Sequence, residues 1–360
     1  MAANVTRARE LDSRDVTRDR QDRRVGLAAT NSRRALGFLV ALAALVIVAL
    51  VSVAVGSKNI PLDTVWDALF HSTGGDASII IWDLRMPRTL VGIVVGAALG
   101  LAGALIQAMT RNPLADPGIL GVNSGAAFFV VLGIGAFGVG SVGGYMWLAF
   151  AGALVVTVAV YVIGSAGRGA ASPERLTLAG VALGAVLTGI TSALVLIDPR
   201  AFDKMRTWNA GSITGRSLDT ISPVLPLIAL GLVLALLVAR PLNSVALGDD
   251  LAAALGTSVL RTRVVVVVAV TLLAGGATAI AGPIAFVGLM VPHVARWIVG
   301  PDQRWIMLYT AVFAPILLLV SDIVGRVVMR PGELPVGVVT AFVGAPVLIV
   351  LIRRRKASGL

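Results

Sequence analysis

The chain has 360 residues, 57% of them hydrophobic, with a mean hydropathy of +0.91 and a formal net charge of +11. So apolar a composition excludes an ordinary soluble enzyme, and the absence of strict alternation excludes a transmembrane barrel. The charge invites a nucleic-acid reading, but nine of the 30 Lys and Arg fall in the first 34 residues and four more at 353–356, as in tails lying on an anionic leaflet, so no nucleic-acid partner is expected.

Residues 1–34 are rich in Arg, Asp, Ser and Thr and have no apolar period, so they read as a disordered basic cytoplasmic tail. Ser32-Arg33-Arg34 ahead of an apolar run resembles a twin-arginine export signal. That run exceeds a signal h-region, however, and many more follow, so 35–56 reads as an uncleaved first span. Further spans follow at 90–109, 119–137, 146–163, 176–197, 221–240, 264–281, 283–299, 307–328 and 337–352, each near the length that crosses roughly 30 Å of hydrocarbon. The expected fold is an all-α polytopic membrane protein of about ten transmembrane helices over 35–352, with a second basic tail at 353–360. An even number of spans puts both termini on one side, and the tails make that side cytoplasmic, in a cytoplasmic (inner) membrane. No Asp, Glu, Lys or Arg occurs in 91–110, 120–150 or 264–294, so driving energy arrives from outside the chain. This disfavours an ion-coupled secondary transporter; a purely scaffolding membrane subunit is the other alternative.

Several short segments stand out in chain order. Arg85, Arg88, Arg200, Arg206, Arg216, Arg326 and Arg330 lie outward, where a positive-inside bias does not explain them. They fit either headgroup contacts and local ion pairs, Asp83 and Asp322 being ready partners, or bidentate pairing with carboxylates of another protein. After Gln107, the stretch Arg111-Asn112-Pro113-Leu114-Ala115-Asp116-Pro117-Gly118 breaks the apolar pattern as a gate or a tight turn, and 282–293 does the same later. Trp208, Asn209 and Ser212 read either as an interfacial anchor or as contacts to something docked. At 246–256, Asp249 or Asp250 suits a helix start and Gly256 its C-terminal cap, giving a short free-standing helix of about two turns. It is a surface helix or a knob for another protein's groove.

Catalytic machinery is not expected. No G-x-x-x-x-G-K-[ST] stretch occurs, the only lysines are Lys58, Lys204 and Lys356, Cys is absent, and His71 and His293 lie far apart. ATP must therefore be bound by a partner, and no cofactor or protein-held metal is expected.

The segments Arg85-Met86-Pro87-Arg88, 100–107, 111–121, 242–256, 282–296, 322–326 and Glu333-Leu334-Pro335-Val336-Gly337 together resemble the FecCD family of ABC importer permeases, which serve iron–siderophore complexes, haem and vitamin B12. The resemblance spans everything after the N-terminal tail. It implies ten spans per subunit and a permease pair, expected as a heterodimer with a related second permease. It further implies a substrate-loaded extracytoplasmic binding protein outside, a cytoplasmic ATP-binding subunit inside, and a ferric siderophore as cargo, with haem or cobalamin as the alternative. By position, Arg85, Arg88 and Arg326 match binding-protein docking arginines. Leu247, Gly248, Asp249, Asp250, Leu251, Ala252, Leu255 and Gly256 match the helix that couples to the ATPase. Asn112, Pro113 and Leu114, with Ser172, Pro173 and Glu174, match the cytoplasmic gate, although Pro173 and Glu174 depart from the small hydroxyl residues usual there.

Overall fold

The computed structural model describes residues 28, 30–71, 75–166 and 173–356 and is helical throughout, with no strand among the described residues. In chain order the helices are α1 (Asn31–Ala54), α2 (Leu62–Phe70), α3 (Asp76–Thr110), α4 (Val122–Phe137), α5 (Val142–Ser165), α6 (Pro173–Ile197), α7 (Pro199–Asn209), α8 (Leu218–Ile221), α9 (Leu225–Val245), α10 (Asp249–Ala254), α11 (Val259–Ala281), α12 (Val287–Val299), α13 (Gln303–Val328) and α14 (Val336–Lys356). Seven of them, α1, α3, α5, α6, α9, α11 and α13, are long and apolar enough to cross a membrane, while α4, α12 and the apolar part of α14 are shorter. Each predicted span falls on one of these ten helices.

The helices shift by several residues at most predicted boundaries, and the two outermost bear on the tails. α1 begins at Asn31, inside the stretch read as tail, because the Thr30 hydroxyl accepts the Arg33 N–H and the Tyr309 hydroxyl donates to the Arg34 carbonyl at 2.7 Å. At the other end α14 runs to Lys356, past the predicted boundary at 352. Helices α2, α7 and α8 were not predicted at all, being short and only partly apolar.

Helix α3 is the shaft of the bundle and packs against α9, α11, α12 and α13. Its glycines explain how. Gly92, Gly96 and Gly100 recur every fourth residue and so lie on one face, and a side chain there would meet Leu319, the Pro315 backbone and Ala314 on α13. One turn further on, a Cβ on Gly103 would overlap the Gly288 carbonyl at the start of α12. Small residues thus replace a hydrophobic seam with backbone-to-backbone contact, which is how helices associate where the solvent is itself apolar.

Because α3 has about 25 regular residues after its π turn (Ile80–Arg85), its two ends lie on opposite faces of the bundle. We call them the arginine end, where α1 stops and α3 starts, and the leucine end, where α3 stops at Arg111. The non-helical stretch 282–286 enters the interior between α11 and α12. There Phe286 has φ +70° and Gly282 accommodates the Trp208 carbonyl, which is why α12 is shorter than its predicted span.

Candidate functional site

At the arginine end, α1 ends without a basic residue in its last turn, leaving its final carbonyls without helical partners. Guanidiniums from elsewhere satisfy them. Arg85 donates to the carbonyls of Val53 (3.0 Å), Ala54 (2.6 Å) and Lys58 (2.6 Å); Arg326 donates to those of Ser52 (2.8 Å) and Val55 (2.9 Å); Arg330 reaches Gly56 (2.9 Å). Positive charge at a helix C-terminus is also favoured by the helix dipole. Arg88 and Arg326 share Asp322. The Arg88 Nε and Nη2 grip its carboxylate at 2.6–3.1 Å, and the Arg326 Nη2 binds its other oxygen at 2.6 Å. Arg88 also holds Glu333 at 2.6 Å. Burial pushes the Glu333 carboxyl up, but the hydrogen bond and charge of Arg88 outweigh this and hold it below the usual carboxylate range.

This geometry corrects the expectation that Arg85, Arg88 and Arg326 stand open to another protein's carboxylates. They are 4%, 8% and 1% exposed, and their forks are spent on α1, Asp322 and Glu333. The reading of Asp322 as a local partner of Arg326 holds, whereas Arg85 turns to backbone carbonyls rather than to Asp83. Sequence spacing revealed the i,i+4 pair but not Glu333 or the carbonyls of α1, which come from residues far along the chain. The cations left exposed at this end are Lys58, Arg200, Lys204, Arg206 and Arg330.

At the leucine end, Arg111 closes α3 in a left-handed conformation, φ +52°. The Asn112 side chain accepts the Leu114 N–H at 3.0 Å, and Asp116 accepts the Gly118 N–H at 2.8 Å to start a 3-10 turn, Pro117–Leu120. The broken backbone is thereby satisfied by its own side chains. Leu114 stays exposed, while the 3-10 turn is pressed onto α6, where Gly180 leaves room for the Ile119 carbonyl. Of the other predicted gate residues, Pro173 is buried and, with Glu174, opens α6; Ser172 lies outside the described residues.

The short helix α10 forms as read, with one change. Its N-cap is Gly248 at φ +112° with no side-chain cap, while Asp249 and Asp250 sit in the first turn. At its C-terminus Gly256, φ +79°, donates to Ala253 and Thr257 donates to Ala252, the pair of bonds that a left-handed glycine permits. Ala252 is buried, but Leu247, Leu251 and Leu255 are 62%, 56% and 62% exposed. Asp249 does more than start the helix. It pairs with Arg263 of α11 at 2.7 Å and with Arg111 at 3.6 Å. The exposed leucine helix is therefore tied to the residue directly before Asn112, a link between two predicted sites that local sequence does not reveal.

Both predicted histidines are structural or peripheral: His293 is buried edge-on to Trp297, and His71 is exposed beside Asp67. No cluster of three or more His, Cys, Asp or Glu suited to a metal occurs among the described residues.

Comparison with known proteins accounts for this arrangement. The FecCD transport family matches residues 44–354. The ferric enterobactin transport system permease protein FepD of Escherichia coli K12 is 51% identical over 88% of this chain and 94% of its own length. The siderophore transport system permease protein YfiZ of Bacillus subtilis 168 is 41% identical over 84% of this chain and 91% of its own. A solved metal-chelate-type ABC transporter in an inward-facing conformation superposes with a TM-score of 0.77 at 27% identity, covering 88% of this chain and 98% of that one. The chain belongs to the FecCD transport family of ABC importer permeases.

Proposed function

We propose that this permease carries a ferric siderophore from an extracytoplasmic binding protein into the cytoplasm, driven by a separate ATP-binding subunit docked at the leucine end. The observation that carries the reading is α10. Six helical residues with exposed Leu251, flanked by exposed Leu247 and Leu255, are marginal in isolation and gain stability by filling a groove, and their tether through Asp249 to Arg111 and Arg263 gives any push on them a route into α3 and α11. The turn at Asn112–Leu114, directly after Arg111, is the element we assign to the inward gate, with Pro173 and Glu174 beside it at the start of α6.

The permease is paired. Helix α6 is apolar yet only 11% buried along its most apolar stretch, a surface suited to lipid and to a related second permease; we favour a heterodimer around a central path. Ten spans place both basic termini on the cytoplasmic side, in line with the charge of the tails. Docking of the binding protein falls to the exposed rim cations Lys58, Arg200, Arg206 and Arg330, while the buried arginines hold the rim in shape. The names of the siderophore permease relatives favour siderophore over haem or cobalamin as cargo.

The test is uptake of ferric siderophore into proteoliposomes holding the assembled importer. Import that requires ATP and the binding protein supports the reading. Import that follows an imposed proton gradient without ATP overturns it in favour of a secondary transporter, and unchanged cellular uptake on deletion of the chain leaves only a scaffold.

A further inference from the structure

Beside the 208–213 turn lies a cavity of about 360 Å³ that neither the gate nor the coupling helix uses. The turn is held in the bundle by the Ser212 N–H donating to the Ala281 carbonyl at 2.7 Å and by the Gly337 N–H donating to the Gly211 carbonyl at 3.0 Å. The cavity wall carries the cations Lys204 and Arg216, hydroxyls that include Tyr145 and Ser212, the indole of Trp208, and no carboxylate. Neither cation has a salt bridge among the described residues. Two donors are buried with no acceptor: the Nε of Arg216 and the indole N–H of Trp208, a residue only 6% exposed. A buried donor without a partner is costly, so groups of this kind mark where an acceptor from outside belongs.

Resting on the transport reading above, we infer that this cavity is a subsite for the carried chelate and that it selects for an anionic one with aromatic or apolar flanks. Donors and cations without a competing acid favour an anion, while Trp208, Val130 and Ile134 supply flat and apolar contact. The next cavity along the chain supports a direction of travel. Asn209, one residue after Trp208, lines a space of about 440 Å³ with Asn123, Thr188, Thr191 and Ser192, where no charged side chain appears and the Thr191 hydroxyl is buried without a partner. An anion is thus met by cations first and by neutral hydroxyls and amides next, so it is attracted without being trapped.

The test uses the assembled importer in phosphatidylcholine nanodiscs, with two probes that share a metal and differ in charge: a ferric tris-catecholate chelate, which is anionic, and a ferric tris-hydroxamate chelate, which is neutral. Lys204→Gln combined with Arg216→Gln should weaken tris-catecholate binding about tenfold or more. Tris-hydroxamate binding should stay as it was. Lys204→Arg should retain the affinity, showing that charge rather than fold is at stake, and Arg240→Gln, at an exposed cation of α9 outside the cavity, should change nothing. Equal losses for both probes, or no loss for either, overturn the inference. So does loss of chelate binding when phosphatidylglycerol is added, which would assign the cavity to lipid headgroups. If ATP-driven import occurs but binding ignores chelate charge, the transport reading stands and the subsite falls; if the anionic chelate binds through Lys204 and Arg216 yet is never imported, the subsite stands and the transport reading falls.

Discussion

Arg326 and Arg263 are both arginines on long helices paired with an aspartate, and they serve opposite purposes. Arg326 and Asp322 are each 1% exposed and share their charge with Arg88, Glu333 and the last carbonyls of α1, so three helices are locked at that end. Arg263 is also buried, its side chain 7% exposed, but its partner Asp249 is 40% exposed and belongs to a six-residue helix with Leu251 and its flanking Leu247 and Leu255 outside. The buried network at one end spends its polar groups on holding still. The other keeps its apolar groups unspent and its charges half wet, the arrangement that the coupling role proposed for α10 requires.

The largest effect should come from removing the acid at the locked end. Asp322→Ala leaves Arg88 and Arg326 facing each other in the interior, and losing one partner of a buried charge network costs about 3–5 kcal/mol. Thermal unfolding of the detergent-purified protein measures it. A change below about 1 kcal/mol would mean that water reaches this network and that the contrast between the ends is false.

At the other end Leu251→Asp with Leu255→Asp should leave thermal stability within about 0.5 kcal/mol, since both side chains are exposed. Import and substrate-stimulated ATPase activity should nevertheless fall by about a hundredfold, because a hot-spot contact of roughly 2–4 kcal/mol is lost. Normal import by the double variant would remove the coupling role from α10.

A third substitution sharpens the comparison by addressing the shaft between the ends. Gly103→Ala puts a methyl group against the Gly288 carbonyl and should cost about 1–3 kcal/mol while lowering import as well, because α12 can no longer close onto α3. An alanine variant with normal stability and import would show that α12 has room to shift.

The smallest effect concerns pH. Glu333 has its carboxyl held below the usual range in the folded protein, so its contribution is fully present above the unfolded value of about 4.3 and is lost only as pH falls through the lower folded value. Glu333→Gln should therefore cost up to about 1 kcal/mol at neutral pH, since the pair is partly exposed, and the gap to the parent protein should close in acid. A gap that widens on acidification would reverse the assigned direction.

How much was legible follows from the range of each interaction. The ten apolar segments, the break at Asn112–Leu114 and the cap at Gly256 could be read locally, since helix length, turn chemistry and a left-handed glycine depend on neighbours in the chain. The i,i+4 pair of Asp322 and Arg326 was legible for the same reason. What the arginines were for was not. Arg85 and Arg88 look like surface charges on composition alone, and only the arrival of α1, α13 and Glu333 from 27 to 245 residues away turns them inward.

The short helices follow the same rule. Helix α2 sets Asp63, Thr64 and Asp67 on one face and Leu62, Val65, Trp66 and Leu69 on the other, but its nine residues are fewer than the window over which a helical period stands out. The sequence by itself determined that this chain crosses a membrane repeatedly, belongs with importer permeases and leaves ATP to a partner. Those conclusions need only hydropathy, tail charge and motifs that are contiguous in the chain. Tertiary structure alone decided which charges are spent and which are free: the lock at Asp322, the tether of α10 to Arg111, and the acid-free cavity of Lys204, Arg216 and Trp208. A charge acquires its role from the partners that packing brings to it, and those partners lie where no local pattern points.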